Sequence, residues 1–111
     1  MSPNGTVLVV GVGGLGTPCA RTLADANVAR LVLMDPDVVD TSNLPRQLLF
    51  DAADVGRHKA EVAAARLHRP GLEVRAIVAR FDATTARDAL RGIDVVVDAT
   101  DGAASKDAVH G

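Results

Sequence analysis

A glycine-rich turn stands between an apolar run and a helix-like segment near the start of the chain. Thr6–Val10 is a continuous apolar run that predicts a buried strand, and the sequence Gly11-Val-Gly-Gly-Leu-Gly16 follows it directly. A helix is predicted from this turn to about Asn27, with Pro18 in its first turn, where a missing N–H costs little. Glycines at such a turn let the backbone approach an anion and let the helix pack closely on the strand. A chain that begins in this way favours a sheet whose strands are joined by helices.

Apolar runs and helical patterns continue to alternate after this first unit. Strands are predicted at residues 31–35, 72–78 and 93–98, and helices at residues 56–68 and 84–90, with a last helix beginning near Ala103. Alternating strands and helices indicate a parallel sheet with right-handed crossovers. We therefore predict an α/β fold: a Rossmann-like parallel sheet with helices on both faces and strand order 3-2-1-4, the first half of a doubly wound fold. At 111 residues, the chain is expected to be a single domain.

Composition supports this fold and argues against several functions. Phe50 and Phe81 are the two aromatic residues, so the core must be built from small branched side chains, which suits a parallel sheet. A net charge of −2 and the absence of Trp and Tyr argue against nucleic-acid binding. A lone Cys19 precludes an internal disulfide and favours a cytoplasmic location, and we predict that it packs in the core. No stretch approaches the roughly 18 apolar residues of a membrane span, and the three histidines lack the spacing of zinc ligands.

Polar residues gather where the predicted strands end. In a doubly wound sheet, ligands bind beyond the carboxyl ends of the strands at the point where the strand order reverses, here between strands 1 and 4. The glycine turn follows strand 1, and Asp98 and Asp101 follow strand 4, so both should face one crevice. Asp35 closes strand 2, where a carboxylate can accept both hydroxyls of a ribose. The plainer alternatives are a glycine turn kept for packing alone and, for Asp35, a solvated turn aspartate or a helix cap.

The long connection after strand 2 distinguishes between two kinds of nucleotide-binding site. Residues 36–55 are rich in Asp, Pro, Ser and Asn, and they contain the sequence Ser42-Asn-Leu-Pro-Arg-Gln47. A loop of this length in a compact domain is usually functional. A plain dinucleotide site has no need for Arg46 and Lys59 here, whereas triphosphate cleavage needs fixed cations for the charge on the leaving pyrophosphate. The pattern therefore favours a site that handles ATP.

Four motifs stand in a fixed order along the chain: Asp35 after strand 2, Ser42-Asn-Leu-Pro-Arg-Gln47, Lys59 on the next helix, and Asp98-Ala-Thr-Asp101 after strand 4. In this order they resemble the ThiF/MoeB/HesA family, the ubiquitin-activating-enzyme-like adenylyltransferases, over about residues 7–109. The resemblance implies binding of ATP with Mg²⁺ and of the C-terminal carboxylate of a ubiquitin-like or sulfur-carrier protein. Attack of that carboxylate on the α-phosphate would give an acyl-adenylate and pyrophosphate.

The resemblance also implies a role for each residue of the site. Asp35 would bind the ribose, and the turn would hold the nucleotide through Gly11, Gly13, Gly14 and Gly16. The phosphates would be held and polarised by four polar residues: Asn43, Arg46, Gln47 and Lys59. Asp101 would bind Mg²⁺ and would join Arg46 and Lys59 as the catalytic residues. No general base is required, because a carboxylate is already a nucleophile at neutral pH, so catalysis would be orientation and charge stabilisation.

The chain also departs from the family pattern. Gly102 stands where the family usually has Asn. The N-terminal helix that commonly supplies an arginine to a neighbouring subunit, the second half of the sheet, the CxxC zinc pairs and the thioester cysteine have no counterpart in these 111 residues. We therefore expect a truncated or minimal domain that forms a homodimer or works with a missing C-terminal half.

Two other functions stay open at this point. The glycines and Asp35 alone would also fit a NAD-binding Rossmann domain, although such a domain leaves residues 42–47, Lys59 and Asp101 unexplained. A non-catalytic nucleotide-binding module would fit a chain that is too short to turn over.

Overall fold

Four parallel strands form the centre of the molecule. The structure is a computed structural model that describes residues 5–13, 16–26, 28–44 and 49–100, apart from the side chains of residues 17 and 43. The strands are β1 (Thr6–Val10), β2 (Arg30–Met34), β3 (Glu73–Ile77) and β4 (Val95–Asp98). They form one sheet in the order β3-β2-β1-β4, and each neighbouring pair is parallel. The predicted fold class and strand order are confirmed.

The two inner strands form where branched apolar residues run without interruption. β1 and β2 are buried on both faces of the sheet, as expected for the centre of a parallel sheet. Val7 of β1 lies opposite Leu31 of β2 on one side and opposite Val95 of β4 on the other. β4 is an edge strand in the described sheet, and its Val95 and Val96 are 40% and 43% exposed.

Helices cover both faces of the sheet, as predicted. Helices α1 (Gly16–Asp25) and α2 (Lys59–Leu67) pack on one face, together with Leu49 and Phe50 from the connection between β2 and α2. The one-turn helix α3 (Ala86–Ala89) contributes Ala89 to a smaller cluster on the other face. Alanines on the buried sides of α1 and α2 let both helices approach the sheet closely.

The predicted start of α2 at residue 56 is wrong, because the helix begins at Lys59. Gly56 has a φ of 89°, which an α-helix cannot contain, and His58 forms an antiparallel bridge with Val38. Residues 56–58 therefore pair with the chain that leaves β2. This tertiary pairing overrides the helical pattern of the local sequence.

The helix predicted at residues 84–90 is shorter in the structure. The side chain of Thr85 makes no capping hydrogen bond, and α3 spans only Ala86–Ala89. Asp82 takes that role, because its carboxylate accepts hydrogen bonds from the backbone N–H groups of Thr84 and Thr85 at 2.9 and 3.2 Å. The Thr85 hydroxyl instead donates to the carbonyl of Arg80.

Cys19 is not the core residue that the sequence predicts. The buried stripe of α1 runs through Gly16, Ala20 and Ala24, which are four residues apart. Cys19 lies beside this stripe and is only partly buried. The reason is geometric: the helix contacts the sheet through its smallest residues, and the thiol falls at the margin of that contact.

Candidate functional site

The glycine turn joins the end of β1 to the start of α1. Gly11 has a φ of 97°, a left-handed conformation that favours glycine, and its N–H donates to the carbonyl of Met34 at 2.8 Å. Gly13 forms a bend within the turn, and Gly14 lies outside the described residues. A Cβ on Gly16 would lie 1.8 Å from the carbonyl oxygen of Gly11. The first turn of α1 therefore presses directly on the backbone of the turn, which only a glycine permits.

Residues that follow β4 pack against the same turn. A Cβ on Gly11 would lie 3.0 Å from the backbone nitrogen of Thr100 and 3.1 Å from the carbonyl carbon of Ala99. The Oδ1 atom of Asp98 accepts hydrogen bonds from the N–H and the hydroxyl of Thr100, at 3.1 and 2.6 Å. Asp98 therefore shapes the turn after β4. Asp101 lies outside the described residues.

Asp35 is a buried carboxylate that joins β2 to the glycine turn. It is 6% exposed, and its Oδ2 atom accepts a hydrogen bond from the N–H of Val12 at 2.8 Å. Its Oδ1 atom accepts another from the N–H of Asp37, also at 2.8 Å. These two donors fix the orientation of the carboxylate and leave each oxygen a second lone pair. Asp35 therefore organises the turn, a role that sequence reasoning missed because the partner Val12 is distant in the chain.

The connection between β2 and α2 is closed at its base by backbone hydrogen bonds. The N–H of Val39 donates to the carbonyl of Arg57, and the N–H of Gly56 donates to the carbonyl of Val39, each at 2.8 Å. The N–H of Lys59 donates to the carbonyl of Asp37 at 3.0 Å. We call this paired base the neck, and it consists of residues 37–39 and 56–59. The connection that the sequence predicts to be irregular is a loop of residues 40–55 on a hydrogen-bonded base.

Lys59 is a buried cation at the first position of α2. It is 8% exposed, and within the described part of the chain its ammonium group makes no hydrogen bond or ion pair. Burying an ammonium group without a partner is unfavourable, and a bound anion would compensate it. The hydrogen bond from the Ser42 hydroxyl lowers the pKa of Asp40, and the charge of Lys59 acts in the same direction.

Three hydrogen bonds connect Lys59 to the glycine turn. Val12 and Asp37 both donate to the Asp35 carboxylate, and Asp37 in turn accepts from the N–H of Lys59. Each link is between 2.8 and 3.0 Å long. The structure thus brings the turn, Asp35 and Lys59 into one connected frame.

The segment that carries the Ser-Asn-Leu-Pro-Arg-Gln sequence begins with a single 3₁₀ turn at Thr41–Asn43. Asp40 holds this turn, because its carboxylate accepts hydrogen bonds from the N–H of Thr41 at 2.9 Å and the hydroxyl of Ser42 at 2.6 Å. Leu44 packs against the core of the domain. Three predicted site groups lie outside the described residues: the Asn43 side chain, Arg46 and Gln47.

The described residues contain neither a metal-binding cluster nor a membrane-spanning helix. Within those ranges, no group of three histidine, cysteine, aspartate or glutamate side chains is placed to hold a metal ion. In the same part of the chain, no helix is long and apolar enough to cross a membrane.

The sequence matches the ThiF family over residues 3–110. It is 42% identical over 106 residues to the sulfur carrier protein ThiS adenylyltransferase of Escherichia coli, covering 94% of this chain and 42% of that protein. It is 46% identical over 97 residues to the SAMP-activating enzyme E1 of Haloferax volcanii, covering 86% of this chain and 36% of that enzyme. The chain thus spans less than half the length of these relatives.

The fold is similar to that of a solved structure with a bound nucleotide. Escherichia coli tRNA N6-threonylcarbamoyladenosine dehydratase, TcdA, in complex with ATP superposes with a TM-score of 0.82 at 30% sequence identity. The superposition covers 90% of this chain and 42% of TcdA. Because the family match extends over nearly every residue and the strand order and glycine turn agree with it, the chain belongs to the ThiF family.

Proposed function

We propose that this chain binds ATP and forms the nucleotide-binding part of an adenylyltransferase, which activates the C-terminal carboxylate of a sulfur-carrier or ubiquitin-like protein. The observation that carries the proposal is the buried Lys59, whose backbone N–H is tied to the glycine turn through Asp37 and Asp35. A buried cation linked to a phosphate-binding turn suits a ligand with several phosphates. The names of the two relatives and the ATP bound to TcdA support the same assignment.

The reaction would need little covalent chemistry from the protein. A carboxylate oxygen of the carrier protein attacks the α-phosphorus, the bond to the α–β bridging oxygen breaks, and the electron pair leaves with pyrophosphate. The free lone pairs of the Asp35 carboxylate would accept the ribose hydroxyls. Lys59 would stabilise the negative charge that develops on pyrophosphate, and Arg46, Asn43 and Gln47 would hold the phosphates beside it.

Mg²⁺ is proposed to bind through Asp101, three residues beyond the Asp98 carboxylate that shapes the turn after β4. Mg²⁺ usually takes one or two protein carboxylates, and phosphates and water complete its shell. One aspartate at this position fits that requirement without a cluster of protein ligands. When bound, the ion would neutralise part of the charge on the phosphates.

The partner is proposed to be the C-terminal tail of the carrier protein, together with a second copy of the chain or with further sequence. The exposed Val95 and Val96 on the β4 edge support a covering partner there, because an open apolar edge favours pairing with another strand. A cytoplasmic location stays a prediction from the composition.

A NAD-binding domain is the second candidate function, and ligand choice separates it from the first. We expect ATP with Mg²⁺ to bind about tenfold more tightly than NAD⁺ or better, a difference of about 1.4 kcal/mol, because the extra phosphates would reach the buried Lys59. Calorimetric titration of the full-length protein with each ligand measures both affinities. NAD⁺ binding at least as tightly as ATP would contradict the adenylyltransferase proposal.

The double role of Asp35 gives a separate prediction. We expect Asp35→Ala to lower the affinities for ATP and for AMP by similar factors, because both nucleotides contain the ribose. The same substitution should lower the free energy of unfolding by about 1–3 kcal/mol. The stability loss follows because the buried N–H of Val12 would lose its acceptor. Denaturant unfolding and nucleotide titration check the two effects.

Asp37→Ala is the matched control, because Asp37 is exposed and takes part in the frame only through its backbone. It should leave stability and both affinities close to those of the wild type. An Asp35→Ala protein of unchanged stability would show that the turn does not depend on this carboxylate.

A further inference from the structure

An ion pair with one buried member lies at the far end of α2 from Lys59, because the Asp54 side chain is 1% exposed and the Arg66 side chain is 34% exposed. The Arg66 guanidinium donates to the Oδ2 atom of Asp54 at 2.5 Å and to its Oδ1 atom at 2.9 Å. The hydrogen bond from Arg66 is the main reason why the pKa of Asp54 lies below its usual value. A bidentate pair of this kind holds two planar groups in one relative orientation. The function proposed above makes no use of it.

Besides an ion pair with Asp51 at 3.5 Å, Arg66 makes a third hydrogen bond, which points to a role beyond stability. Its Nη1 atom also donates to the backbone carbonyl of Leu49 at 2.5 Å. Leu49 is two residues beyond Gln47 in the sequence, so it marks the exit of the segment proposed to hold the phosphates. One guanidinium group therefore binds both the exit of that segment and Asp54 to the same helix.

Asp54 extends this fixation to the rest of the loop. Its Oδ2 atom accepts the N–H of Asp51 at 2.8 Å, while the Asp51 carboxylate accepts the N–H of Ala53 at 3.0 Å. Two residues after Asp54, the chain enters the neck at Gly56. The part of the loop after Leu49 is thus held continuously, from the carbonyl that Arg66 binds to the neck.

The position of Arg66 on α2 relates this fixation to Lys59. The two residues are seven positions apart, which places them two helical turns apart on the same side of the helix. The helix that presents the buried ammonium group thus also holds the exit of the phosphate segment. Any shift of Leu49 relative to Lys59 would have to break the hydrogen bond that Arg66 donates to its carbonyl.

We propose that Arg66 is a positioning residue, which fixes Leu49, at the exit of the 42–47 segment, relative to Lys59 by binding the Leu49 carbonyl and Asp54. The proposal rests on the function proposed above, because that function assigns the 42–47 segment to the phosphates of ATP. Arg66 acts through other residues and does not itself touch the nucleotide. Its effect should fall on the phosphates beyond the α position, because the ribose and the α-phosphate depend on Asp35 and the glycine turn.

Two substitutions and one control test this role in the full-length protein. Arg66→Ala removes all three hydrogen bonds, and Arg66→Lys keeps the charge but cannot supply the planar fork. Arg69→Ala is the matched control, because Arg69 follows α2 and its side chain makes one exposed ion pair within the described residues, to Asp25 at 2.9 Å. Calorimetric titration with ATP and with AMP gives the ratio of the two affinities for each folded variant.

We expect both Arg66 variants to lower the affinity for ATP by about tenfold or more, which is the order expected when a charge-assisted hydrogen bond is lost. The affinity for AMP should fall by less than about twofold. Arg69→Ala should leave the ratio unchanged. An unchanged ratio in folded Arg66→Lys, or equal losses of ATP and AMP, would show that Arg66 only stabilises the fold and would overturn the proposal.

Amide hydrogen exchange without nucleotide provides a second, independent measurement. Arg66→Lys should raise exchange at residues 49–57 while the amides of β1 and β2 stay protected, and unchanged exchange at residues 49–57 would overturn the proposal. If the wild type failed to bind ATP, the proposed function and the phosphate assignment would both be overturned. Exchange would still decide whether Arg66 fixes the loop.

Discussion

Gly16→Ala is expected to lower the midpoint of thermal unfolding by about 10–20 °C, the shift that corresponds to about 3 kcal/mol in a domain of this size. An added Cβ would lie 1.8 Å from the carbonyl oxygen of Gly11, and both groups belong to the backbone or are fixed to it. No side-chain rotation can relieve such a collision, so either α1 or the turn must move. Nucleotide binding should be lost as well, because the same atoms form the proposed phosphate site.

Gly71→Ala is the matched control for this prediction. Gly71 also has a positive φ, of 86°, but a Cβ there would meet nothing within 4 Å. The control therefore carries only the backbone cost of a left-handed residue, about 1–2 kcal/mol, and it should retain nucleotide binding. If the two variants lost equal stability, the close approach of α1 to the turn would not be the reason for Gly16.

Lys59→Met is expected to change binding and stability in opposite directions. ATP affinity should fall by about 10- to 100-fold, since a charge-assisted contact to phosphate would be lost. The free energy of unfolding should rise by about 1 kcal/mol, because methionine fills a similar volume and removes the charge of a residue that is 8% exposed and has no bonded partner for its ammonium group among the described residues. Calorimetric titration and denaturant unfolding of the same protein samples measure both effects.

Arg91→Met removes an exposed cation that already has an ion-pair partner, and it serves as the control for Lys59→Met. Arg91 and its partner Asp88 are both mostly exposed, so their ion pair should contribute little to stability. This variant should match the wild type in ATP affinity and in stability. A destabilised Lys59→Met protein would indicate that Lys59 supports the fold, which would contradict its assignment as a cation held for the phosphates.

The strands and their order were predictable because the relevant patterns are local. β1 and β2 are short runs of Val and Leu, and the glycine turn marks the end of β1. Alternation of strands and helices then leaves few arrangements that keep the crossovers right-handed. The start of α2 was not predictable in this way, because residues 56–58 are held by the chain that leaves β2.

The candidate site shows the same difference between local patterns, which were predictable, and contacts between distant residues, which were not. The sequence pattern singled out Asp35 and Lys59, and the structure joins them in one hydrogen-bonded frame. The dependence of the turn on Asp35 and the grip of Arg66 on Leu49 escaped prediction. Each is a contact between residues 17 or 23 positions apart, and no local pattern pairs Asp35 with Val12 or Arg66 with Leu49. Such contacts are decided by how the elements pack and not by the periodicity of one element.

The strand order has a consequence for how the protein folds. β1 pairs with β4 across a long stretch of chain, and the hydrogen bond from Thr6 to Asp94 closes a separation of 88 residues. Closing so long a loop is entropically unfavourable, so the pairing of β1 with β2 and of β2 with β3 should come first. Ala99 and Thr100 reach Gly11 only when β4 has docked. The candidate site would therefore be completed only when β4 joins the sheet, and a nascent chain would bind its ligand only after that step.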